Sequence, residues 1–113
     1  MGLKMKLIYA IVHDEDARKL TDELNKEGFS VTKLSSSGGF LKSGNTTLLT
    51  GVEDDQVEKV ISIIEDKSKS RTETIDPSMT TNATGGMFMQ YPVEVTVGGA
   101  TVFVVNVEQF KKI

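Results

Sequence analysis

The chain has no cysteine and no tryptophan, and only one histidine, among its 113 residues. Without thiols there are no disulfides, no thiol redox chemistry and no thiolate metal site. His13 has no second histidine or cysteine with which to complete a transition-metal site, so it reads as a solvated strand-end residue. No apolar run approaches the roughly 20 residues that span a bilayer. The opening Met1-Gly2-Leu3-Lys4-Met5-Lys6 leads into a short strand-like run without a cleavage-type spacer, so the expected location is the cytoplasm. Positive charge is not in excess either, with 13 Lys and Arg against 16 Asp and Glu. A formal net charge of −3 gives no general attraction to nucleic-acid polymers or to anionic membranes.

Catalytic signatures are missing in the same way. No G-x-x-x-x-G-K-[ST] loop and no G-x-G-x-x-G after a strand occurs, which argues against a nucleoside triphosphatase and a dinucleotide oxidoreductase. Ser35-Ser36-Ser37 has no G-x-S-x-G turn and no nearby histidine. The acidic clusters Asp14-Glu15-Asp16 and Asp54-Asp55 fall where helices begin, and the positive end of a helix dipole accounts for them without acid–base chemistry. The expectation is therefore a binding protein, not an enzyme, with no metal and no cofactor.

What is present describes one globular α+β domain spanning residues 1–113, with 38% hydrophobic and 26% charged residues. Lys6–Val12 is β-branched, apolar and short, and reads as a buried strand. A helix follows, opened by Asp14, with Ala17, Leu20 and Leu24 as its apolar stripe and Gly28 placed to end it. Phe29–Leu34 alternates as a second strand. Leu7–Leu34 then aligns without gaps on Leu48–Ile75 at an offset of 41 residues, strand on strand and helix on helix. In the second helix Val57, Val60, Ile61 and Ile64 mark the core face. Two βαβ units in tandem predict a ferredoxin-like β-α-β-β-α-β subunit, with helices on one face of an antiparallel sheet. Residues between Ile75 and Pro92 have no sustained period and read as a long loop carrying Met79, Met87, Phe88, Met89 and Tyr91. Pro92–Val107 resumes as strand, with Gly98-Gly99 as a turn or bulge.

The segment Gly38-Gly39-Phe40-Leu41-Lys42-Ser43-Gly44-Asn45-Thr46-Thr47 suits a planar, phosphorylated ligand. Its glycines allow close backbone approach, Phe40 offers a stacking face, and Asn45 offers two donors and an acceptor. Thr32-Lys33-Leu34, then GGFL and GNTT, with PVEVTVGGATVFV downstream, resemble the bacterial PII-like receptor proteins for cyclic di-AMP, in that family's order and spacing and from Met5 onward. The resemblance implies a homotrimer that binds cyclic di-AMP at subunit interfaces and reports to a downstream protein not identifiable from sequence. It places Thr32, Gly39, Phe40, Leu41, Asn45 and Gly51 on one wall of the cleft, and Phe103 of a neighbouring subunit on the other. Phe40 would flank an adenine, Asn45 would read its edge, and Thr32 with the Gly39–Leu41 amides would meet ribose and phosphate. The chain departs from the family at Ser30, where a basic residue is common, so the expectation is that one charged phosphate contact is either weaker or supplied by Lys33 or Lys42. The alternative is a PII-type regulator binding ATP and 2-oxoglutarate. It is disfavoured by the short, glycine-rich first inter-strand loop and by the few basic residues available for a triphosphate.

Overall fold

The computed structural model describes residues 4–34, 44–75 and 93–113. The readings made for Gly39, Phe40, Leu41 and Lys42, and for the long segment 76–92, lie outside them. Six strands and two helices follow in the order β1 (Met5–His13), α1 (Asp14–Lys26), β2 (Thr32–Leu34), β3 (Asn45–Glu53), α2 (Val57–Ser68), β4 (Arg71–Ile75), β5 (Val93–Val97) and β6 (Ala100–Val107). A four-stranded sheet runs β2-β3-β1-β6, and a separate ribbon pairs β4 with β5.

The expected ferredoxin-like architecture is present, with one substitution of roles. Arg71–Ile75 is a strand, as the internal repeat requires, but it does not join the sheet. The place beside β1 is taken by β6, which pairs antiparallel from Met5↔Val107 to Val12↔Ala100. The ribbon is thus an insertion between α2 and the sheet's last strand. Composition explains the exchange. Arg71-Thr-Glu-Thr-Ile75 carries charge at alternate positions, whereas Ala100-Thr-Val-Phe-Val-Val offers the β-branched side chains that a sheet over two helices favours. Gly98 and Gly99, both at positive φ, join ribbon to sheet, and they are not a hairpin between β5 and β6.

Period-two alternation on β1 and β3 separates the two faces of the sheet. Ile8, Ala10 and Val12 of β1, with Leu48 and Val52 of β3, are buried against Ala17, Leu20 and Leu24 of α1 and Val60 and Ile64 of α2. Each large side chain buried this way contributes about 1.5–3 kcal/mol. Helix α1 ends as the sequence indicates. Gly28 adopts φ +93 and its N–H donates to the Asn25 carbonyl at 3.0 Å, while the N–H of the buried Phe29 donates to the Leu24 carbonyl at 2.9 Å. The start of α1 differs from expectation. His13 occupies the N-cap without a side-chain cap bond, and Asp14 is the first helical residue, its carboxylate accepting from Thr46. No helix among the described residues is long and apolar enough to cross a membrane.

Candidate functional site

Among the described residues, no helix covers the other face of the sheet. Directly opposed residues of antiparallel strands point to the same side, so the register places Leu7, Tyr9, Ile11 and His13 of β1 beside Asn45, Thr47, Leu49 and Gly51 of β3. Thr32 and Leu34 of β2 extend this face on one edge, and Thr101, Phe103 and Val105 of β6 extend it on the other. Phe103 is 54% exposed and Val105 44%. Every described residue of the predicted site, namely Thr32, Asn45, Gly51 and Phe103, stands on this bare face.

They do not converge within one chain. Thr32, Leu49, Tyr9 and Phe103 form one row across all four strands. At strand spacings of roughly 4.8 Å the ends of that row are about 14 Å apart. Asn45 lies four residues along β3 from the row and Gly51 six from Asn45, which at roughly 3.3 Å per residue is about 13 and 20 Å. Lys33 points the other way. It lines a hollow of ≈ 540 Å³ between α1 and the β2–β3 edge, with Arg18, Asp14 and Asp22. It therefore does not stand beside Thr32 on the same face. Alternation along Thr32-Lys33-Leu34 is the physical reason.

Around Asn45 the structure builds a small cleft that the sequence only partly signalled. Ile11, His13 and Asn45 form one side, and Gly98, Gly99, Ala100 and Thr101 form the other, enclosing ≈ 290 Å³. His13 is half-buried and faces Asn45 across the β1–β3 pairing. It is thus a wall of the cleft as well as a strand-end residue, which its position in the sequence alone could not disclose.

The Gly98–Gly99 wall is held from behind by charge. Asp16, fully buried, accepts hydrogen bonds from Arg71 Nη2 at 2.9 Å and from Nη1 at 3.3 Å, and lies 3.2 Å from Lys19 Nζ. Arg71 Nη1 also donates to the Lys69 carbonyl at 3.2 Å. The N–H of Gly99 donates to the Ser68 carbonyl. Burial acts to raise the Asp16 pKa, but hydrogen bonds and charge from Arg71 and Lys19 outweigh it and hold the carboxyl below the ordinary range. The hydrogen bond to Asp16 in turn holds Arg71 above its usual value.

A depressed carboxylate contributes stability that is full above its unfolded pKa of about 3.9 and is lost as pH falls through the lower folded value. Asp16→Asn should therefore be less stable than wild type at pH 7 in urea denaturation, and the gap should narrow as pH is lowered from about 4. A gap independent of pH would contradict the ionised pair.

A ferredoxin-like sheet of this order gives the chain a PII-like fold. The chain belongs to the cyclic-di-AMP receptor family. The family model described as "Cyclic-di-AMP receptor" matches residues 5–113. Among solved structures, a functionally unknown protein from Pediococcus pentosaceus is 40% identical, with a TM-score of 0.79 covering 99% of this chain and 100% of that one. Arabidopsis thaliana PII bound to citrate is 23% identical, with a TM-score of 0.54 covering 94% of this chain and 77% of that one, a likeness of fold.

Proposed function

We propose that this chain is a non-catalytic sensor that binds cyclic di-AMP in clefts between subunits of a homotrimer and passes occupancy to a downstream protein. The observation that carries the reading is the placement of Thr32, Asn45, Gly51 and Phe103 on one bare sheet face, at separations too large for a single small ligand within one chain. Residues spread this way serve as two half-sites, completed when a second copy supplies the opposite wall. The cleft beside Asn45, at ≈ 290 Å³, lies at the lower limit of the roughly 300–1,000 Å³ usual for ligand pockets, so a ligand with two bases needs that second wall.

Gly51 supports the same reading. It is exposed in mid-strand, is not among the positive-φ glycines, and a Cβ added there would meet only the Met5 ε-carbon at 4.0 Å. Among the described residues nothing requires glycine there, whereas close approach of a ligand or a second backbone does. The sheet's outer strand β6 also exposes Phe103, Val104 and Val105 in succession, an apolar edge suited to cover by another copy. A three-fold ring of heterologous contacts gives each subunit one complete cleft.

In this arrangement the Asn45 amide reads the edge of an adenine, and the polar Thr32 meets ribose and phosphate. Calorimetric titration tests it directly. Cyclic di-AMP should bind, with cyclic di-GMP and ATP weaker by about tenfold or more, about 1.4 kcal/mol. Equal affinity for the two cyclic dinucleotides would remove the adenine-reading role of Asn45.

A further inference from the structure

Both walls of the cleft are fastened to a single turn of helix. On the β3 side, the Asp14 carboxylate accepts a hydrogen bond from Thr46 Oγ1, and the Asp14 N–H donates to the Gly44 carbonyl at 2.8 Å. The residues on either side of Asn45 are thereby tied to the start of α1. On the opposite side Asp16, two residues further along the same turn, grips Arg71 with both carboxylate oxygens. Arg71 Nη1 lies 2.5 Å from where a Cβ on Gly98 would stand. Arg71 also faces Val97 across the ribbon, the residue immediately before Gly98.

The sheet itself does not fix that second wall. Its ladder places Asn45 through His13 and Ala100 through Val12, and it ends there. Gly98 and Gly99 lie past the last pair, where the Arg71 fork, the Val97 pairing and the Ser68 carbonyl position them. Two glycines at positive φ have little conformational preference of their own. Their location therefore depends on what they lean against.

We propose that Asp16 and Arg71 are positioning residues of the nucleotide cleft, holding the Gly98–Gly99 wall at the distance from Asn45 that cyclic di-AMP requires. This rests on the reading that the cleft takes that nucleotide. The same fork anchors the first residue of β4, so the pose of the β4–β5 ribbon and the occupancy of the cleft are linked through one contact. Linkage makes the effect reciprocal: what the nucleotide gains from a well-placed wall, the ribbon root gains from the nucleotide.

The informative variant is Arg71→Lys. It keeps a cation beside the buried Asp16 but loses the planar two-pronged fork. Equilibrium dialysis with cyclic di-AMP, with melting temperature and light scattering on the same samples, separates positioning from general support. Arg71→Lys should keep its particle mass and melt close to wild type, yet bind about tenfold more weakly, within the usual range for linked sites. Asp16→Asn should weaken binding similarly, and the double variant Asp16→Asn with Arg71→Lys should be no weaker than the weaker single, because both act through one link. If wild type binds and Arg71→Lys binds equally well, this proposal falls and the cyclic di-AMP reading stands. Affinity losses that merely follow melting temperature across the three variants also overturn it. A wild type with no binding overturns both.

Discussion

Leu49→Asp should convert a particle of three times 12.3 kDa into one of a single subunit mass, and cyclic di-AMP binding should disappear with it. Leu49 stands in the row Thr32-Leu49-Tyr9-Phe103 on the bare face of the sheet, opposite to the side packed on α1 and α2. Leu49 is half-buried in the single subunit, so a carboxylate placed there keeps access to water at a moderate cost to that subunit. In an assembly that covers this face it is buried without a partner, at several kcal/mol per copy, repeated at each of three equivalent contacts. Binding is lost as a consequence, since the half-sites of one chain no longer meet those of another.

Light scattering reads the mass, circular dichroism confirms that the subunit is still folded, and titration reads the ligand. Lys33→Asp is the matched control, because Lys33 is one residue from Thr32 but projects to the helix side. It should leave the assembly intact. A Leu49→Asp protein that retains three-fold mass and full affinity would move the subunit interface to another surface.

Much of this architecture was legible because it rests on local periodicity. The i, i+3, i+7 stripe of Ala17, Leu20 and Leu24 and the matching stripe around Val60 and Ile64 are properties of single helices, and all five residues are buried. The helix stop at Gly28 requires only a left-handed residue at the right place. The 41-residue repeat fixed the order of elements as far as α2. It then implied that Arg71–Ile75 would close the sheet. Strand type is local, but strand partnership is a competition, and β6 wins the place beside β1 with a run of eight residues against five.

The site was legible only in part, for a similar reason. Asn45 and the Gly98-Gly99 pair were each conspicuous, yet only the β1–β3 register, which sets His13 opposite Asn45, together with the contacts at the ribbon root brings them to one cleft. Asp16 was readable as a helix-start acid alongside Asp14 and Glu15, and that reading hid its role. One signal did set it apart. Asp16 precedes Leu20 by four residues and Leu24 by eight, which puts it on the buried stripe while Asp14 and Glu15 are exposed. A carboxylate on a core stripe demands a cation, and that cation comes from Arg71, 55 residues away.

The glycines give the sharpest separation between what the fold needs and what the assembly needs. Gly44 and Gly98 both have positive φ, +92 and +83. A Cβ on Gly44 would meet nothing within 4 Å, so Gly44→Ala incurs only the conformational penalty, about 1–2 kcal/mol. On Gly98 the same atom would stand 2.6 Å from the Lys69 carbonyl oxygen, 3.2 Å from that of Ser68 and 2.5 Å from Arg71 Nη1. Two of these neighbours are backbone at the end of α2 and cannot swing aside. Gly98→Val should therefore add overpacking to the penalty and cost about 2–5 kcal/mol in urea denaturation, with loss of nucleotide binding as the cleft wall is displaced. Gly51→Ala should behave in the opposite way. In mid-strand, with ordinary φ and open space, alanine should leave the isolated subunit as stable or more stable by about 0.5–1 kcal/mol, while particle mass or cyclic di-AMP affinity falls. Gly98→Val as stable as Gly44→Ala would show that the ribbon root yields easily, and Gly51→Ala with unchanged mass and affinity would show that nothing approaches β3 there.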